Sequence, residues 1–120
     1  MSNTLLIVDD SESIRELISG NLTDAGYNVI KAVNGQDGLD KLNREVKLIV
    51  TDLNMPIMDG ITMVKNIRSN PDYKHMPIIM LTTESQLEKK NAARMAGATA
   101  WIVKPFDEDK LLGVVKKFVR

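Results

Sequence analysis

Five polar residues stand out because each closes or directly follows a short aliphatic run. Asp9 and Asp10 follow Leu5-Leu6-Ile7-Val8, and Asp52 follows Leu48-Ile49-Val50-Thr51. Thr82 ends Ile78-Ile79-Met80-Leu81, and Lys104 follows Trp101-Ile102-Val103. If these runs are strands of one parallel sheet, three carboxylates, a hydroxyl and an ammonium meet at its carboxyl edge and form one site. Carboxylates held together raise one another's pKa unless a cation compensates, so the set predicts a hard divalent ion on oxygen ligands. Magnesium fits, since it takes one or two protein carboxylates and fills its other positions with water and phosphate oxygens. Manganese is the alternative ion.

The elements that must position these residues are legible from the hydrophobic pattern. Short β-branched and aliphatic runs alternate with longer amphipathic segments, the signature of repeated βα units and a parallel sheet. Strands are predicted at Thr4–Asp9, Asn28–Val33, Lys47–Asp52, Pro77–Thr82 and Ala100–Val103. Ile14, Leu17, Ile18, Leu22 and Ala25 keep helical spacing and form the core face of a first helix, ended by Gly26. Leu39 and Leu42 mark a second helix and Val64 and Ile67 a third. Ala92, Ala93 and Ala96 mark a fourth, ended by Gly97, and Leu111, Val115 and Phe118 a fifth. The fourth, carrying Glu88, Lys89, Lys90 and Arg94, is expected to pack with little apolar area. Ser69–Met76, with Pro71, is expected to be an ordinary connection. Five such units give an α/β, flavodoxin-like doubly wound sheet of order 2-1-3-4-5, in which ligands sit at the carboxyl ends of the strands.

Composition sets the outer bounds. The 120 residues suit one domain spanning 1–120, large enough to fold without disulfides or structural metal. Lys plus Arg and Asp plus Glu each total 16, so no net charge recruits nucleic acid or an acidic membrane. The absence of Cys excludes thiolate metal sites and cysteine nucleophiles. Residues Met1–Asp10 lack a basic leader region, and no stretch approaches the roughly 20 apolar residues of a membrane span, so a soluble cytoplasmic monomer is expected.

The motifs Leu5–Asp10 (LLIVDD), Val50–Gly60 (VTDLNMPIMDG), Leu81–Glu84 (LTTE) and Val103–Phe106 (VKPF) together resemble those of the CheY-like response-regulator receiver family, in order and over the whole chain. The resemblance implies that Asp52 is the phosphoacceptor, charged by a histidine kinase. It assigns Asp9, Asp10, Asp52 and the backbone carbonyl of Asn54 to magnesium, Lys104 to the phosphoryl group, and the Thr82 hydroxyl to a phosphoryl oxygen as a switch. Trp101 stands where the family usually carries Tyr or Phe as a rotamer switch coupled to the threonine. Asn54 and Glu84 would tune dephosphorylation, and the Lys104–Pro105 peptide would be cis. These roles make chemical sense: an ionised Asp is a nucleophile that yields an acyl phosphate, while magnesium and Lys104 neutralise the phosphoryl oxygens. The chain would then be a signalling phosphoacceptor with self-catalysed phosphotransfer and autodephosphorylation rather than an enzyme. The closest subgroup resemblance is to stand-alone chemotaxis regulators that act on the flagellar motor switch. Its output would be protein contact through the fourth helix, fifth strand and fifth helix, with a phosphatase as a further partner. A phosphorelay intermediate or a signalling adaptor outside chemotaxis is the alternative.

Each residue also has a plainer reading. An Asp-Asp pair after a strand usually caps a helix, and Ser11 serves as well, leaving Arg15 and Glu16 exposed. Asp52-Leu53-Asn54 followed by Asp59-Gly60 fails as an EF-hand, because Pro56, Ile57 and Met63 occupy positions that need an oxygen ligand, Gly and Glu. Met55-Pro56 and Asp59-Gly60 read as turn chemistry, with Gly60 relieving a backbone constraint. His75 is expected to be exposed in a polar loop, and Trp101 to be a core or half-buried strand aromatic.

Rival functions are disfavoured by particular residues. An aspartyl-phosphate phosphatase of the haloacid-dehalogenase type needs a second Asp two residues past the nucleophile, where this chain has Asn54, which cannot exchange a proton. A flavodoxin-type electron carrier is disfavoured because Asp9-Asp10 would repel a nucleotide phosphate. A DNA-binding regulator is disfavoured because nothing follows the fifth helix and no basic stripe is present.

Overall fold

The computed structural model describes residues 3–119. The strands are β1 (Thr4–Val8), β2 (Asn28–Ala32), β3 (Val46–Thr51), β4 (Ile78–Thr82) and β5 (Ala100–Val103). They alternate with α1 (Glu12–Asp24), α2 (Gly35–Lys41), α3 (Gly60–Arg68), α4 (Leu87–Ala96) and α5 (Glu108–Phe118). The strand order is β2-β1-β3-β4-β5 and every pairing is parallel, as the pattern predicts. Asp9 and Asp52 fall one residue past their strands rather than inside them, at the carboxyl edge, though their N–H groups still donate to the Ala32 and Val8 carbonyls of the neighbouring strands. Pro77 stands just before β4, having no N–H to give the ladder. Within the predicted connection, Asn70 caps a single 3₁₀ turn at Pro71–Tyr73.

Alternation along the strands divides the core into two layers. One face carries Leu5, Ile7, Leu48, Val50, Ile79 and Leu81 under α1 and α5. The other carries Leu6, Val8, Ile49, Ile78 and Met80 under α2, α3 and α4. The predicted face of α1 is narrower than its spacing suggests: Ile18 and Leu22 are buried, whereas Leu17 is 52% exposed and Ala25 lies outside the core. Leu17 projects about 100° around the helix from Ile18, beyond the edge of the sheet contact.

Four helices begin with a side-chain cap: Ser11, Asn34, Asp59 and Asp107 each accept a backbone N–H of the first turn. In α4 the corresponding Gln86 makes no such bond, and among its residues only Ala93 is buried. That fits its weakly apolar sequence. Among the described residues no helix is long and apolar enough to cross a membrane.

Candidate functional site

The strand order reverses between β1 and β3, so the connections leaving these two strands diverge and open a crevice at the carboxyl edge. Asp9 ends β1, Asp52 ends β3, and the Asp52 N–H donates to the Val8 carbonyl at 2.9 Å, which ties the two strand ends together. On the other side, the Lys104 N–H donates to the Thr82 carbonyl at 2.8 Å. The sheet thereby brings Asp9, Asp10, Asp52 and Lys104 into one cluster, with Thr82 on the neighbouring strand end.

Lys104 is the central cation. Its Nζ donates to Asp9 Oδ2 at 2.7 Å and to Asp52 Oδ2 at 3.2 Å, and all three side chains are largely withdrawn from water. Burial pushes the Asp9 carboxyl above its ordinary range, against the lowering pull of the Lys104 hydrogen bond and the Ser11 N–H. Burial alone would lower Lys104, but its bond to Asp9 and the charges of Asp52 and Asp9 outweigh that and hold it above its usual value. Lys104 therefore stays charged, and Asp9 remains the carboxylate most in need of further positive charge. The Lys104–Pro105 peptide is cis.

Asp9, Asp10 and Asp52 each place a carboxylate oxygen within 4.8 Å of the others. This all-oxygen, carboxylate-rich donor set fits a hard divalent cation such as magnesium. Asp10 is exposed and Asp9 buried, so the cluster reaches from the interior to solvent. Asp52 has its other oxygen fixed by the Leu53 N–H at 2.7 Å.

The loop after β3 is held tightly. A Cβ on Gly60 would collide with the Asp52 carbonyl oxygen, so glycine is required by close approach. The constraint is steric rather than dihedral; the left-handed residue of this loop is Ile57, at φ 70°. There the Met58 N–H donates to the Pro56 carbonyl at 2.7 Å in a γ-turn. A β-branched residue in that region stores about 1–3 kcal/mol of strain. Gly35 N–H to Met58 O (3.0 Å) and Gly60 N–H to Leu53 O (2.8 Å) hold the loop against it.

The remaining sequence candidates fall as follows. Asn54 is exposed at the rim, two residues past Asp52. The Thr82 hydroxyl is buried and accepts the Glu84 N–H at 3.2 Å, leaving its own proton to donate elsewhere. The Glu84 carboxylate points along its loop to the Gln86 N–H at 3.4 Å rather than into the acidic cluster. Trp101 is half-buried and pairs in register with Met80 as Val103 pairs with Thr82, so Trp101 and Thr82 share one sheet face. His75 is exposed before β4, at the opposite edge of the sheet. Ser11 caps α1 as expected, but Arg15 is half-buried and not exposed: its guanidinium donates to the Asp9 carbonyl at 2.7 Å, steadying the first turn of the site. Sequence reasoning missed this contact, and no spacing signal marks it. It also missed Arg68, whose guanidinium donates to the Tyr73, Met76 and Gly97 carbonyls; its position four residues after Val64 on a buried stripe is the signal that would have flagged it.

Comparison with known proteins agrees with this geometry. A family model for the response regulator receiver domain matches residues 5–116. The chain is 43% identical over 105 residues to the chemotaxis protein CheY1 of Helicobacter pylori, covering 85% of each. The solved structure of Vibrio cholerae chemotaxis protein CheY4 superposes with a TM-score of 0.92 at 43% identity, covering 98% of this chain and 99% of that one. A BeF3-activated DrrB receiver domain superposes with a TM-score of 0.88 at 28% identity, covering 98% and 97%. Fold, site geometry and these likenesses converge: the chain belongs to the CheY-like response regulator receiver family.

Proposed function

We propose that Asp52 accepts a phosphoryl group from a histidine kinase and that the phosphorylated chain signals by binding another protein. The observation that carries this reading is the cluster of Asp9, Asp10 and Asp52 around a charged Lys104, with the Thr82 hydroxyl one strand away. The Asp52 carboxylate oxygen attacks the phosphorus of a phosphohistidine. A P–O bond forms, the P–N bond breaks, and the imidazole leaves and takes up a proton. Lys104 turns its ammonium to the incoming phosphoryl oxygens, and Thr82 donates its free proton to one of them. Asp9, Asp10, Asp52 and the Asn54 carbonyl would hold magnesium, which supplies positive charge to the same oxygens. Asn54 and Glu84 at the rim set how readily water reaches the acyl phosphate.

The likeness to CheY proteins favours a cytoplasmic regulator of chemotaxis whose target is the flagellar motor switch, met through α4, β5 and α5. Incubation with acetyl phosphate and magnesium, read by intact mass, tests the core of the reading. One added phosphate is expected in wild type and none in Asp52→Ala; equal incorporation in both would refute it.

A further inference from the structure

β3 is buried at every residue but Lys47, and its last residue is the one that does not match the layer it faces. Thr51 is fully buried and pairs in register with Val8 on β1 and Met80 on β4, both part of the apolar layer under α2, α3 and α4. Valine has nearly the same shape and no hydroxyl to satisfy, so packing alone does not call for threonine here. Among the described residues the hydroxyl has one partner, the carbonyl of the next residue: Thr51 Oγ1 donates to Asp52 O at 2.9 Å.

That carbonyl belongs to the peptide unit joining Asp52 to Leu53. In a planar trans peptide the C=O and the N–H point in opposite directions. Holding the carbonyl toward the Thr51 hydroxyl and the start of α3 therefore aims the Leu53 N–H the other way, where it donates to Asp52 Oδ1 at 2.7 Å. Gly60 leaves room for the carbonyl, since a Cβ there would collide with it. The neighbouring units are fixed as well: the Asp52 N–H donates to the Val8 carbonyl at 2.9 Å, and the Leu53 carbonyl accepts the Gly60 N–H at 2.8 Å. With the backbone set and Oδ1 taken, the Asp52 carboxylate is held from rotating, its Oδ2 turned to Lys104 at 3.2 Å. Of the groups that hold the Asp52 backbone, the Thr51 hydroxyl alone comes from a side chain, and it lies in the core layer rather than in the acidic cluster.

We infer that Thr51 is a positioning residue for the phosphoacceptor: its buried hydroxyl orients the Asp52–Leu53 peptide, which in turn locks the rotation of the Asp52 carboxylate. The consequence for phosphotransfer rests on the role of Asp52 proposed above; the chain of contacts from hydroxyl to peptide to carboxylate is a property of the unphosphorylated protein. A carboxylate free to rotate spends only part of its time in the geometry of attack. Loss of the hydroxyl therefore slows transfer while every group that would touch the phosphoryl oxygens stays in place.

Thr51→Val and Thr51→Ser in the full chain test this with two readouts. The initial rate of labelling by acetyl phosphate at saturating magnesium, followed by intact mass, should fall about tenfold in Thr51→Val and stay within about twofold of wild type in Thr51→Ser. In the metal-free protein, Leu53 amide hydrogen exchange is measured relative to the amides of β1, so that a change in global stability cancels. It should be at least about tenfold faster in Thr51→Val than in wild type and Thr51→Ser. Labelling of Thr51→Val at the wild-type rate overturns the inference. A Thr51→Ser variant as slow as Thr51→Val also overturns it, by placing the effect in packing. So does a slow Thr51→Val whose Leu53 amide exchanges as in wild type, because the contact through the peptide is then broken without consequence. If wild type takes up no phosphate, the phosphoacceptor reading fails, and Leu53 exchange still decides whether Thr51 orients this peptide.

Discussion

Lys104 Nζ stands 2.7 Å from Asp9 Oδ2, closer than to the proposed phosphoacceptor Asp52 at 3.2 Å. The lysine therefore serves first as counter-ion to the most buried carboxylate of the cluster. Replacing it by an apolar side chain of similar length leaves that carboxylate without its partner. Lys104→Met should destabilise the metal-free fold by roughly 1–3 kcal/mol, the cost of an unmet buried charge. Because a competing positive charge is gone, magnesium affinity should rise by about tenfold. Urea unfolding with and without magnesium checks both, and the mutant should gain more stability from the ion than wild type. Unchanged affinity would show that lysine and metal do not share these carboxylates.

Asp10 is the exposed member of the same trio. Asp10→Ala should weaken magnesium binding by roughly tenfold, about 1.4 kcal/mol, through loss of a ligand. Without metal the variant should be more stable than wild type by about 0.5 kcal/mol, because a like charge has been removed from the cluster. Titration calorimetry measures the first effect and thermal unfolding in chelator the second.

Thr82 and Trp101 lie on one face of adjacent strands, which makes the lone tryptophan a reporter on the proposed switch. Phosphorylation should change Trp101 emission in wild type. In Thr82→Ala, phosphate incorporation should be nearly intact and the emission change much reduced. The variant should also lose about 1 kcal/mol of stability, since the Glu84 N–H loses its acceptor. A full emission change in the mutant would send the signal by another route.

Asp37 gives a test that depends on pH. Its carboxylate accepts the Val33 N–H at 2.9 Å and the Lys41 ammonium at 3.1 Å. The Val33 bond above all, then Lys41 and the charge of Arg15, hold its pKa below the usual aspartate value against opposing desolvation. A carboxyl depressed in the folded state adds stability above its unfolded pKa and loses it as pH falls through the folded value. Asp37→Asn should therefore be about 0.5 kcal/mol less stable at pH 7, a modest figure because the group is partly solvated. The gap should persist down to about pH 4 and close below it. A gap independent of pH would place the effect in packing instead.

The strands, and the meeting of Asp9, Asp10, Asp52 and Lys104 at their ends, were legible because the places where aliphatic runs stop are set by local chemistry. Each aliphatic run reads directly as a buried parallel strand, and Asp9, Asp52 and Thr82 stand where such runs stop. The weak packing of α4 was legible for the same reason, in its shortage of large apolar residues. What escaped the sequence depends on directions that only assembly sets. Leu17 keeps helical spacing yet overhangs the sheet, and Arg15 turns inward because the Asp9 carbonyl happens to lie beneath it. The crowding of Gly60 against Asp52 and the strain at Ile57 arise from how one loop folds back, and Met55-Pro56 and Asp59-Gly60 announce only that it turns.

The Lys104–Asp9 contact spans 95 positions of chain, and the strands that carry the two residues lie apart in the sheet, with β3 and β4 between them. Neither β1 nor β3 alone can gather these charges; the cluster exists only once β5 has docked on β4. If Asp52 is the phosphoacceptor, as proposed, competence to be charged is a certificate that the last strand is in place. A nascent or partly unravelled copy, whose carboxylates repel one another without the lysine, would be silent toward its phosphodonor and so invisible to whatever reads the signal.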